Sequence, residues 1–156
     1  MENYIFKNVS FSYPEVEEKA LDQISFSVHH GEFLILCGPS GCGKSTLLRH
    51  LKTCLTPHGR REGEILYGGV LLDTVDDRTQ AQQIGFVMQS PENQVVTDKV
   101  WHELAFGLES LGYDTPSIRR RVAEVAAFFG IENWFYKNVT ELSGGQKQLL
   151  SLASVM

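Results

Sequence analysis

The sequence predicts an α/β fold: a mainly parallel sheet around a phosphate-binding loop, an N-terminal antiparallel β part and a helical subdomain. Three observations carry that expectation. An apolar run, Phe33-Leu34-Ile35-Leu36-Cys37, leads directly into Gly38-Pro39-Ser40-Gly41-Cys42-Gly43-Lys44-Ser45-Thr46, and a helix with apolar spacing follows. Alternating apolar and polar residues precede that loop, as half-buried strands require. Beyond residue 100 the period changes, with apolar residues three and four apart, as on the buried face of a helix.

The segment Gly38–Thr46 fits G-x-x-x-x-G-K-[ST] in the strand–loop–helix setting that the motif needs. Gly38, Gly41 and Gly43 permit positive φ and keep Cβ atoms out of the path of a ligand. Successive amides can then face inward as a concave anion site, and the helix that starts near Lys44 adds its positive end. Lys44 offers an ammonium to the β- and γ-phosphates. Ser45 offers a hydroxyl to Mg²⁺, a hard cation that takes oxygen ligands. Thr46 caps or packs the first turn.

Each element has its own local cause. Tyr4 to Tyr13 reads as a strand, with Ile5, Lys7 and Val9 alternating against Phe6, Asn8 and Ser10. Pro14 and the acidic residues Glu15, Glu17 and Glu18 make a turn. Leu21 to Val28 is a second strand, and His29-His30-Gly31 turns the chain into a buried strand over Phe33 to Cys37. The helix from Lys44 buries Leu47, Leu48, Leu51 and Leu55, ending before Pro57 and Gly59. Glu64 to Tyr67 and Val70 to Leu72, joined at Gly68-Gly69, form a hairpin. Ile84 to Met88 is a short buried strand running into the polar segment Gln89-Ser90-Pro91-Glu92-Asn93-Gln94. Thr97 or Asp98 caps a helix carrying Val100, Leu104, Leu108 and Leu111, which Gly112 ends. Thr115-Pro116 opens the next, with Pro116 at the first helical position and Ile118, Val122, Val125, Ala126 and Phe129 as its stripe. Gly130 closes it.

The chain has 156 residues, enough for a sizeable core, and a formal net charge of −5. That charge argues against a nucleic-acid partner. Cys37, Cys42 and Cys54 lack paired ligand spacing and fit a reducing compartment. Cys37 is expected to be a small buried hydrophobe, and Cys42, inside the loop, open to oxidation or alkylation. No stretch is apolar for long enough to span a bilayer and the N-terminus is not a signal peptide, so a membrane link is expected to come through a partner.

A second motif, Leu142-Ser143-Gly144-Gly145-Gln146, follows about a hundred residues after the first loop. Ser143 is a good N-cap, and Leu149, Leu150, Leu152, Ala153 and Val155 supply the helix behind it. Two helix starts able to meet an anion in one chain are unusual.

With these motifs the chain resembles ABC-type ATPases, the nucleotide-binding subunits of ABC transporters, over essentially its whole length. The resemblance rests on Tyr13 in Phe11-Ser12-Tyr13, the phosphate loop, Gln89 and LSGGQ. The run from Gln89 to Gly107 is most similar to energy-coupling-factor ATPases, which serve uptake of vitamins and of metal ions such as cobalt and nickel. The resemblance implies a P-loop NTPase core with ATP and Mg²⁺ as cofactors. It implies a core with the antiparallel β part over 1–99, a helical subdomain over 100–140, and the signature loop and helix over 141–156. Tyr13 stacks on adenine; Gly38, Ser40, Gly41, Cys42, Gly43, Lys44, Ser45 and Thr46 hold phosphates. Gln89 helps hold the metal and the attacking water, so Ser45 and Gln89 are the metal residues and Gln89 the catalytic one. Ser143, Gly144, Gly145 and Gln146 bind the γ-phosphate held by a second ATPase subunit, identical or paralogous. A transmembrane permease docks near Gln89 and the helical subdomain, placing the chain at the cytoplasmic face of the membrane.

The chain also departs from that family. The Asp-Glu strand, D-loop and switch histidine that follow the signature helix elsewhere do not occur, so the expectation is a truncated form with weak hydrolysis and marginal stability. Glu103, Glu109 and Glu141 read as surface residues, not displaced catalytic ones, and His102 as a helix-surface histidine. Leu149 stands where the family commonly has Arg. Other readings are a soluble ABC ATPase of DNA repair or translation, whose coiled-coil insertions do not occur here, and a non-catalytic binding fragment. A small-molecule kinase would share the phosphate loop but not LSGGQ.

Overall fold

The computed structural model describes residues 2–90 and 93–156. Pro91 and Glu92, inside the polar run that begins at Gln89, lie outside the described residues. Contacts divide the chain into two units, the first reaching Gln80 and the second starting at Ala81.

In the first unit, β1 (Glu2–Ser12), β2 (Leu21–His29), β3 (Arg60–Tyr67) and β4 (Val70–Leu71) form an antiparallel sheet in the order β2-β1-β3-β4. Strict alternation along β1 does not hold. The register slips between Phe6 and Val9 against β2, and between Lys7 and Ser10 against β3. Asn8 occupies that bulge with φ 49°, its N–H donating to Ser25 Oγ at 2.8 Å. The inserted residue resets the pleat, so Phe6, Val9 and Phe11 all reach the core. Gly63 faces the bulge at φ +86°, and a Cβ there would lie 2.4 Å from the Asn8 carbonyl oxygen. The β3–β4 hairpin forms as expected, because Gly68 and Gly69 supply the two positive φ angles, 57° and 87°, of a tight turn whose twist matches the strands.

Two expectations for the centre of the sheet need correction. Phe33–Cys37 and Ile84–Met88 join no ladder, and no parallel pairing forms among the described residues. Phe33 is 87% exposed and Cys37 is exposed, whereas Ile84 is buried. Parallel pairing needs neighbours delivered from distant sequence on each edge, and an apolar run alone cannot supply them.

The helix after the phosphate loop, α1 (Lys44–Arg49), is shorter than its leucine spacing suggests. His50 is its C-cap, and Leu51 N–H already bonds to Leu48 in a tightened turn. A separate short turn over Thr53–Leu55 follows, pinned where Gln80 Oε1 accepts from Thr53 N–H and Oγ1, both at 3.0 Å. Leu47 is buried but Leu48 is exposed. The short α2 (Asp77–Gln83) comes after the hairpin.

The second unit is helical. Its core draws on α3 (Val100–Ser110), α4 (Thr115–Phe129) and α5 (Gly144–Ala153), with Val100, Leu104, Ile118, Val122 and Leu150 at its centre. Leu149 packs against this core, which accounts for an apolar side chain there. The N-cap of α3 is Lys99, neither Thr97 nor Asp98, and it makes no side-chain cap. Asp114 caps α4 by accepting from Ser117 N–H, which moves Pro116 to the second helical position. Gly130 ends α4 at φ 66°. No helix among the described residues is long and apolar enough to cross a membrane.

Candidate functional site

The phosphate loop belongs to the first unit. Gly41 and Gly43 adopt φ of 85° and 90°, conformations that side chains with a Cβ rarely take. Gly43 is required twice: a Cβ there would stand 2.3 Å from the Ala20 carbonyl oxygen, just before β2. At Gly41 a Cβ would meet nothing within 4 Å, so the loop is open on that side. The Lys44 ammonium folds over the loop, donating to the carbonyls of Gly38 at 2.8 Å and Pro39 at 2.7 Å. Cys42 Sγ lies 3.5 Å from it. Ser45 is exposed in the first turn, whereas Thr46 is buried.

Tyr13 is brought to this loop from the end of β1. Its hydroxyl lies 2.9 Å from Thr46 Oγ1, and its ring stands edge-on to Phe11 with centroids 5.0 Å apart. More than a third of the Tyr13 surface remains exposed. Sequence spacing alone could not bring these residues together; the antiparallel sheet does.

The second unit holds the other residues singled out from the sequence. Gln89 is exposed. The segment before it is braced by Gln94, whose Oε1 accepts from Met88 N–H at 2.8 Å. Ser143 and Gln146 cap α5 reciprocally: Ser143 Oγ accepts from Gln146 N–H at 3.4 Å, and Gln146 Oε1 from Ser143 N–H at 2.8 Å. Gly144 and Gly145 are exposed, with nothing within 4 Å of a Cβ built on either.

Glu103 corrects the sequence reading. It is buried, and its Oε2 accepts from Val96 N–H at 3.1 Å, Thr97 N–H at 3.0 Å and Thr97 Oγ1 at 2.9 Å. The carboxylate thus holds the chain that leads into α3. The signal that could have found it is a lone acid on the same stripe as Val100 and Leu104. Glu109 and His102 are exposed, as expected, and Glu141 is exposed while capping a short turn with Asn138.

A glycine-built loop with its lysine, followed by a capped LSGGQ helix, defines a nucleotide-binding ATPase class. The sequence pattern of the ABC transporter family matches residues 21–156. The chain belongs to the ABC transporter family. It is 51% identical over 150 residues to a putative ABC transporter ATP-binding protein of Bacillus anthracis, covering 96% of this chain and 27% of the relative. It is 37% identical over 153 residues to the cobalt import ATP-binding protein CbiO of Syntrophus aciditrophicus, covering 96% and 53%. Among solved structures it is similar to CbiO1 of Clostridium perfringens, described as part of the ABC transporter complex CbiONQ, with TM-score 0.86, 26% identity and coverage of 99% of this chain and 61% of that one. The chain therefore spans between about a quarter and about half of the length of these curated relatives.

Proposed function

We propose that this chain is the ATP-binding part of an ABC-type membrane importer, in which ATP binding and hydrolysis are coupled to uptake of a metal ion or a vitamin. The observation that carries the reading is the loop itself: left-handed glycines, a lysine ammonium lying across them, and an open side at Gly41. Those features fit a polyphosphate. On binding, the Lys44 ammonium leaves the Gly38 and Pro39 carbonyls for phosphate oxygens, exchanging neutral acceptors for charged ones. The Ser45 hydroxyl, exposed in the first turn, suits a hard cation. Mg²⁺ held there would neutralise phosphate charge. Tyr13 offers its ring to adenine, and Gln89 is the residue proposed to orient water.

The uptake assignment draws on the relatives named for cobalt import and energy coupling. A second ATPase subunit is the proposed partner, with Ser143, Gly144, Gly145 and Gln146 of one copy closing on the phosphates held by the other. The MJ0796 cassette, 28% identical over 98% of this chain, is described as a dimer bound to ADP and Pi. A transmembrane permease is the other partner, which puts the chain at the cytoplasmic face of a membrane. Calorimetry with Mg-ATP tests the core of the reading. Binding is expected in the intact chain, and Lys44→Ala is expected to weaken it about ten- to a hundredfold, the worth of one charge-assisted contact. Equal affinity in the two proteins would refute the proposal.

A further inference from the structure

His50 is the buried titratable side chain that the phosphate loop does not account for. It is fully buried at the C-cap of α1. Its Nδ1 lies 2.7 Å from the Thr46 carbonyl oxygen and therefore carries the proton. Its Nε2 is buried with no hydrogen-bond partner among the described residues. An orphaned acceptor costs free energy that an apolar side chain of similar volume would not incur. The imidazole is therefore held for what its ring and its one donor do.

Both are committed to the neighbourhood of the nucleotide site. The His50 ring packs edge-on to Phe11, with centroids 4.7 Å apart at 69°. Phe11 stands edge-on to Tyr13, and the Tyr13 hydroxyl meets Thr46 Oγ1, so the contacts close a circuit from the His50 ring through Phe11, Tyr13 and the Thr46 side chain, returning to His50 by way of the Thr46 main-chain carbonyl. Gly59 lies against the Phe11 ring, where a Cβ would fall 2.6 Å from it. One side chain thus touches both arms of the site, the aromatic arm through Phe11 and the phosphate-loop arm through Thr46.

We infer that His50 is a positioning residue for base recognition: by holding Phe11 and Thr46 at once, it sets the pose of the Tyr13 ring against the phosphate loop. The inference rests on the reading that Tyr13 meets the base. His50 itself touches no ligand. An apolar residue would keep only the backbone N–H at this position, 3.3 Å from the Thr46 carbonyl oxygen, and would lose the shorter side-chain bond; an amide cannot present an aromatic edge to Phe11.

The test compares Mg-ATP with inorganic tripolyphosphate, which lacks the base, in the intact chain. His50→Asn keeps a donor and removes the ring; His50→Phe keeps a ring and removes the donor. Each is expected to lower the ratio of ATP affinity to tripolyphosphate affinity about fivefold, and to add nothing further in a Tyr13→Ala background. In the unaltered protein, the imidazole ¹⁵N signals of His50 are expected to show a protonated Nδ1 and to shift with ATP more than with tripolyphosphate. That measurement stands even if a variant fails to fold. A ratio within twofold of the parent in both variants, or equal loss for both ligands, overturns the inference, as do ¹⁵N signals that respond alike to the two ligands. A parent that binds neither ligand, or a Tyr13→Ala ratio that does not fall, removes the Tyr13 reading and this inference with it.

Discussion

Replacing Glu103 with alanine removes one oxygen that three donors share. Val96 is well exposed, so its N–H regains water once the carboxylate is gone; the Thr97 hydroxyl can still donate to the Lys99 carbonyl oxygen at 3.1 Å, whereas the amide of half-buried Thr97 regains water only in part. A hydrogen bond to a charged acceptor contributes about 1.5–3 kcal/mol net, and bonds converging on one oxygen do not add in full, so the loss comes to about 2–3 kcal/mol. For a chain of this size each kcal/mol moves the melting midpoint by about 2–4 °C, which gives a fall of roughly 4–12 °C. Glu103→Gln keeps an oxygen in the same place and is expected to lose about 1 kcal/mol, or roughly 3 °C. Circular dichroism melts at neutral pH read both values. An alanine variant melting within about 2 °C of the parent refutes the reasoning. A glutamine variant as damaged as alanine would show that charge, not the acceptor, matters.

Gly63→Ala forces a Cβ onto the Asn8 bulge at a positive φ, and should cost at least 2 kcal/mol by urea unfolding, about 1 of it from the left-handed backbone alone. Ser143→Ala opens the capping box of α5 and should lower stability by about 1 kcal/mol, whereas Ser143→Asp should restore most of it. Burial holds the His50 pKa below the ordinary histidine range, while Arg61 and Asp73, paired with each other, act on it in opposite directions. Its neutral form is favoured only in the folded state, so its contribution is complete above about pH 6.5 and is lost as the pH falls below that value, when the unfolded chain takes up the proton. The melting midpoint should decline between pH 7 and 5.5, and less steeply in His50→Phe.

Local chemistry decided a good deal of this protein by itself. The Gly68-Gly69 hairpin, the αL stop at Gly130, the capped LSGGQ helix and the glycine–lysine loop each need only neighbouring residues, so their physics is complete within a few positions. Tertiary structure decided the rest. The bulge at Asn8 inverted the pleat of β1, the partner of Glu103 came from the chain before its own helix, and Tyr13 reached Thr46 across more than thirty residues. The segment Phe33–Cys37, apolar enough to be read as a buried strand, joins no ladder, because sheet pairing depends on which distant segments arrive beside it. Such outcomes depend on register and on long-range contact, and hydrophobic period does not encode either.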